Sequence, residues 1–250
     1  MKREIVVIAT GAAAAGFAAM IAYPLIWRRR CLEWGARPEE TAREMPGDDL
    51  LPDAPVIATR AVSVGAPPSA IWPWLVQMGP GRGGAYTYDW VENLLGLDMH
   101  SAAEVVPEWQ DLAVGDCIRL GEEMTMRVAV LDAERAMVLV SDDGAWVWSF
   151  GLYPQGAGVT RLVSRNRIQN PRTGTTSRVL SMYLMEPGSL VMERKMLLGI
   201  KERAERLYRR PADEGRPAAA SSLRTPHPRC HAVTARSAGS AARRPAASAP

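Results

Sequence analysis

Three cysteines and three histidines are all that 250 residues offer as thiolate or imidazole groups. Cys31, Cys117 and Cys230 share no short spacing, which excludes a CxxC redox motif and a four-ligand zinc site, and at this length a small disulfide scaffold is excluded too. His227 and His231 fall in an Ala- and Pro-rich C-terminal stretch, so His100 stands alone in the rest of the chain and no two-histidine metal site can be written. There is no G-x-S-x-G elbow, and no glycine-rich loop is followed by Lys-Ser/Thr. Neither a metal nor a cofactor is implied. No repeat with a period of 20 to 50 residues is present.

An excess of one charge is also missing where it would matter. The net charge is +3, but residues 55 to 210 carry 17 basic and 17 acidic residues, whereas residues 211 to 250 carry 6 and 2. A neutral domain has no electrostatic footprint for phosphates, which argues against nucleic acid as a partner. Only three of the thirty basic residues are Lys, a bias that reads as GC-rich coding.

What is present begins with residues 5 to 27, IVVIATGAAAAGFAAMIAYPLIW, 23 residues without a charge. As a helix this run is about 34 Å long and spans a bilayer, although eight alanines make it only moderately apolar. A cleaved signal peptide is the rival reading, with Lys2 and Arg3 as its basic start. The run outlasts a signal-peptide core and stops at Arg28-Arg29-Arg30, which favours an anchor. The same basic residues place the large domain on the cytoplasmic side of the cell membrane as a single-pass protein.

Residues 28 to 54, rich in Pro, Gly and acids, read as a short helical piece and an extended linker. Residues 211 to 250 draw 29 of 40 positions from Ala, Pro, Arg and Ser and read as a disordered tail. Between them lies a globular unit of about 155 residues, enough for one core. Its pattern is α+β. Val56 to Val64 predicts a strand, and Pro67-Pro68-Ser69 opens a helix running to Met78. A second helix is expected from Tyr88 to Leu95, ended by Gly96. The apolar runs Cys117–Leu120, Met124–Leu131, Ala136–Ser141, Ala145–Tyr153 and Val159–Ile168 have short connections and predict an antiparallel meander. A long helix follows from Pro187 to Arg210, with Met192, Met196, Ile200 and Leu207 on its apolar stripe.

Trp146, Trp148, Phe150 and Leu152 share one strand face, and the methionine-bearing helix is the element available to cover it. The pattern alone fits a filled core as well as a cavity. Segment 79 to 96, GPGRGGAYTYDWVENLLG, combines backbone freedom with Tyr86, Tyr88 and Trp90, either as a structural turn or as the amphipathic lining of a pocket mouth. The acid/base candidates are Asp89, Glu92 and His100, with Tyr86 and Tyr88 as possible donors. Arg161, Arg165 and Arg167 share one strand face, which reads as the solvated convex side of the sheet or, otherwise, as a site for an anionic head group.

With its opening strand into Ala66-Pro67-Pro68-Ser69-Ala70-Ile71-Trp72-Pro73-Trp74-Leu75, its closing Trp148-Ser149-Phe150 and Thr160-Arg161-Leu162-Val163 strands and its long last helix, the chain resembles the SRPBCC superfamily. These are the START-like and polyketide-cyclase-like helix-grip proteins. The run Gly81-Arg82-Gly83-Gly84 to Tyr88-Asp89-Trp90, with Pro107-Glu108-Trp109, is similar to a bacterial subgroup bearing an N-terminal membrane span, and the likeness covers about residues 5 to 210.

The resemblance implies an antiparallel sheet wrapped around the C-terminal helix, with an apolar cavity lined by Trp146, Trp148, Phe150, Met192 and Met196. Tyr86, Tyr88, Trp90 and Trp109 join these as candidate ligand-binding residues. The expected function is a membrane-anchored module binding a lipid, sterol or polyketide-like ligand. The alternatives are a cyclase- or dehydratase-type enzyme using Asp89, His100 or Tyr88, and a scaffold that binds another protein through residues 79 to 109. No motif of the subgroup assigns a catalytic residue, and an enzyme is the less favoured reading.

Overall fold

The computed structural model describes residues 22–94, 96–120, 124–169 and 181–209, except the side chain of residue 25. Most of the expected membrane span and the whole expected tail lie outside the described residues. Among the described residues no helix is long and apolar enough to cross a membrane.

The core is an α+β arrangement of one six-stranded antiparallel sheet packed against a long C-terminal helix. The strands are β1 (Val56–Val64), β2 (Cys117–Arg119), β3 (Thr125–Asp132), β4 (Ala136–Ser141), β5 (Trp146–Pro154) and β6 (Thr160–Ile168), in the order β1-β6-β5-β4-β3-β2. β2 to β6 follow one another as the expected meander. β1 then pairs with β6, Val56 opposite Ile168 and Val64 opposite Thr160. A register shift between Val128 and Val130 marks an irregularity in the β3/β4 ladder.

Among the described residues five α-helices accompany the sheet. They are α1 (Arg28–Leu32), α2 (Pro38–Ala42), α3 (Pro68–Val76), α4 (Asp89–Leu94) and α5 (Glu186–Arg209). α3 opens on Pro68, whose missing N–H costs nothing at the first helical position. It buries Ile71, Trp74 and Leu75.

Alternation along the strands divides the sheet into two faces. Val62, Val64, Phe150, Leu152, Leu162, Met137 and Leu139 point inward and pack with α3 and with Met196, Leu197, Ile200 and Ala204 of α5. α5 passes close over the loop before α4. A side chain at Gly199 would stand 2.6 Å from the Tyr86 carbonyl oxygen.

The outer face corrects two expectations. Residues 31 to 53 do not form a free linker; they lie as a strap across this face. Met45 and Ala36 pack on Ala61, Val163 and Tyr153, and Leu51 packs on Val138, Val140 and Val147. The strap meets β1 where the Ala61 amide donates to the Trp34 carbonyl at 3.1 Å, and there Gly35 has φ +71° and no room for a Cβ against the Ala61 carbonyl.

The second correction concerns Arg161, Arg165 and Arg167. They are neither solvated nor free to bind an anion, because the strap covers them. Arg161 forms two bonds of 2.7 Å to Glu40 and one of 2.8 Å to the Gly35 carbonyl. Arg165 reaches Asp48 at 2.5 Å and the carbonyls of Glu40, Thr41 and Arg43 at 2.7, 3.2 and 2.8 Å. Arg167 donates to the carbonyls of Leu51 and Pro52 at 2.8 and 2.6 Å. An irregular segment leaves carbonyls without ladder partners, and long arginines satisfy them while laying their apolar stems on the sheet.

Candidate functional site

On the inner face the core is not filled throughout. Between the sheet and the N-terminal half of α5 lies a cavity of about 640 Å³. Val56, Ala58 and Ile168 line it from β1 and β6, Trp146 and Trp148 from β5, and Met192 and Met196 from α5. Leu32, Met124 and Met185 also line it, and the exposure of Met124 and Met185 marks its opening.

The tryptophans form an apolar wall because their polar edges are occupied. Their rings stack at 5.5 Å and 18°, and Trp148 meets the Phe150 ring at 4.9 Å. Trp146 Nε1 donates to Asn166 Oδ1 at 2.8 Å, and Trp148 Nε1 donates to Ser164 Oγ at 2.9 Å. With their N–H groups satisfied inside the sheet, the indoles turn ring surface to the cavity.

One buried network lies along the wall. Arg60 pairs with Glu193 and donates to the Cys31 carbonyl at 2.9 Å and to Ser189 Oγ at 3.0 Å, while Asn166 Nδ2 bonds Glu193 at 3.1 and 3.2 Å. Burial lifts the pKa of Glu193, with Arg60, Ser164 and Asn166 pulling it back. At the opening, Glu186 is held by the Arg28 guanidinium at 2.9 Å and by the Tyr23 hydroxyl at 3.3 Å.

Glu92 of α4 differs. It is buried and lines the cavity beside Thr87, yet neither Glu92 Oε2 nor Thr87 Oγ1 has a well-formed hydrogen bond. Burial pushes the Glu92 carboxyl above the usual range; the neighbouring Thr87 opposes this and Asp89 reinforces it.

The remaining sequence candidates lie apart from the cavity. Asp89 accepts from the Ser101 amide and hydroxyl at 2.8 and 2.6 Å, fixing the loop after α4. His100 is 77% exposed and sits 3.2 Å from Asp98 on the surface. Tyr88 lies at the surface with the Lys195 ammonium 5.9 Å from its ring centre, and Trp90 is 70% exposed. Tyr86 is buried, donates to the Trp74 carbonyl at 3.0 Å and packs edge-on to the Trp74 ring. Trp109 is half-buried, its carbonyl accepting from Arg82 at 2.6 Å. Phe150 belongs to the packed core beneath the cavity wall.

Of the nine ligand-binding candidates, Trp146, Trp148, Met192 and Met196 are therefore the ones at the cavity. Of the acid/base candidates, only Glu92 is there. Sequence reasoning missed Arg60 and Glu193. Their signals were a basic residue at an inward position of β1 and a glutamate on the same helix turn as Met192 and Met196. Among the described residues no group of three His, Cys, Asp or Glu side chains is placed to hold a metal.

No protein-family model and no curated protein matches the chain. Among solved structures, the Zhui aromatase/cyclase of a Streptomyces species aligns with 15% identity over 60% of this chain and 94% of its own, at a TM-score of 0.38. A Polyketide_cyc-like protein from Corynebacterium glutamicum aligns with 16% identity over 61% of this chain and 89% of its own, at 0.30. A Mesorhizobium loti protein aligns with 18% identity over 59% and 97%, at 0.35. Each is a partial likeness of shape.

Proposed function

We propose that the chain is a membrane-anchored module that binds one small hydrophobic ligand, a lipid, sterol or polyketide-like molecule, between the sheet and α5. The observation that carries this reading is the cavity: about 640 Å³, walled by stacked indoles and methionines, with its strongest charges already paired. Ligand pockets of about 300–1,000 Å³ have this character, mostly apolar with a few placed polar groups. Methionine suits a wall that must follow the ligand's shape. An apolar fluorescent dye titrated against the full-length chain should saturate at one per chain and be displaced by long-chain lipids. Absence of saturable binding overturns the reading.

The anchor is supported by where the uncharged run ends. Tyr23–Trp27 is helical and leads into α1, which is fastened beside the cavity opening by Arg28 to Glu186, while the Tyr23 and Tyr183 rings meet at 5.2 Å. Ile26 and Trp27 are exposed, as suits residues at a bilayer surface, and Arg28 to Arg30 favour a cytoplasmic domain at the cell membrane. The chain should stay in the membrane fraction through alkaline carbonate extraction, with the domain accessible to protease only from the cytoplasmic side. Release by carbonate, or the opposite sidedness, contradicts this part.

A further inference from the structure

The polar side chains around the cavity fall into two groups. Arg60, Glu193, Asn166, Ser189 and both indole N–H groups have partners, as does Glu186. Among the described residues that line the cavity, the buried side-chain atoms without a hydrogen-bond partner are Glu92 Oε2 and Thr87 Oγ1. They stand on one wall, at the end of the 79–87 loop and in α4. A buried carboxyl oxygen without a well-formed hydrogen bond is costly unless something else occupies its bonding position.

We infer that this wall receives the polar end of the ligand, and that this end is an uncharged oxygen, a hydroxyl foremost, rather than a carboxylate or an ammonium. The inference rests on reading the cavity as a ligand site. A hydroxyl is complementary to the pair, because it can donate to the carboxyl oxygen and accept from the threonine hydroxyl at once. The charges facing this region exclude an anion. Glu92 and Asp89 belong to α4, Glu193 and Glu186 to α5, and the arginines Arg60 and Arg28 are committed to those two glutamates. Lys195 stands over Tyr88 instead. Burial disfavours the charged form of Glu92 and so weakens the countercharge an ammonium would meet there. The hydrocarbon body then lies along Trp146, Trp148, Met192 and Met196, and the ligand's hydroxyl replaces the hydrogen bonds that water would have made.

The test is displacement of the apolar dye from the full-length chain, at neutral pH, by four probes of equal chain length: hexadecane, hexadecanol, hexadecanoic acid and hexadecylamine. Hexadecanol should compete at roughly tenfold lower concentration than hexadecane, as expected for one satisfied buried hydrogen bond, and also below the acid and the amine. Glu92→Leu should erase the preference for alcohol over alkane while leaving hexadecane binding intact. Glu92→Gln, whose amide oxygen still accepts, should keep most of it, and Thr87→Val should narrow it. Thermal melts establish that each variant is folded, and the ranking in the unmodified chain decides even if one is not. Equal binding of all four probes, or preference for the acid, overturns the inference and leaves the cavity reading standing. Preference for the amine, lost in Glu92→Gln, overturns it in favour of a charged Glu92. Failure of every probe to displace the dye overturns the cavity reading, and the inference with it.

Discussion

Glu40 on the outer side of the sheet and Glu92 on the inner side are almost equally buried, 6% and 7% exposed, yet their carboxyls are pushed in opposite directions. At Glu40 burial works against ionisation but is outweighed by the Arg161 guanidinium and the Arg37 amide, which hold its pKa below the usual range. At Glu92 burial prevails, since Thr87 provides only weak opposition. Burial alone therefore does not separate a structural acid from a functional one. Partners do. The outer face supplies each arginine with a carboxylate or carbonyl, whereas the inner face retains a cavity in whose wall Glu92 Oε2 and Thr87 Oγ1 have no well-formed hydrogen bond.

The largest expected effect breaks the outer face. Arg161→Ala leaves Glu40 buried without its guanidinium and should lower unfolding free energy by about 3–5 kcal/mol in chemical denaturation. Dye affinity of the protein that remains folded should not change, because the cavity lies on the other side of the sheet. Next, Gly35→Ala places a Cβ on the Ala61 carbonyl at a positive φ and should cost about 1–3 kcal/mol by lifting the strap. A smaller effect on stability, with a complete effect on binding, is expected of Ala58→Leu. It adds volume into open cavity rather than packed core, so stability should move by less than about 1.5 kcal/mol while dye binding is lost.

The pH dependence sharpens the same comparison. Because the folded pKa of Glu40 is depressed, its stabilising contribution is complete above about pH 4.5, its unfolded value, and is lost as pH falls through the folded value. Glu40→Gln should therefore destabilise at neutral pH and converge with the unmodified protein in acid. The folded pKa of Glu92 is raised, so its contribution is complete below about pH 4.5 and is lost as pH rises through the folded value. Glu92→Gln should accordingly be neutral in acid and modestly stabilising near pH 7, the smallest of these effects. Thermal melts from pH 4 to pH 8 check both, and slopes of equal sign would refute the contrast.

Much of the fold was legible because strand parity and helix spacing are local. The meander, the inward run Trp146, Trp148, Phe150 and the stripe Met196, Ile200 are read directly from alternation and period. The strap was not. GARPEETAREMPGDDLLPDAP has the composition of a linker, and only contacts 115 to 126 residues away, from Arg161, Arg165 and Arg167, turn it into a layer of the structure. The site was half legible. Trp146, Trp148, Met192 and Met196 follow from pattern, whereas Tyr88, Trp90 and His100 were conspicuous for chemistry that their surface positions do not use. Choosing Glu92 over Asp89 required knowing that the Ser101 amide and hydroxyl occupy Asp89, a loop contact without a periodic signature.

The central claim, that the space between the indoles and α5 holds an apolar molecule, is tested most directly by native mass spectrometry. The full-length chain would be purified from the cells that make it in mild detergent, alongside the Ala58→Leu variant. A bound mass at one per chain in the unmodified protein and its absence from the variant is the result expected. A uniformly empty chain, still empty after exposure to a total lipid extract, or an equal bound mass in both proteins, would contradict it.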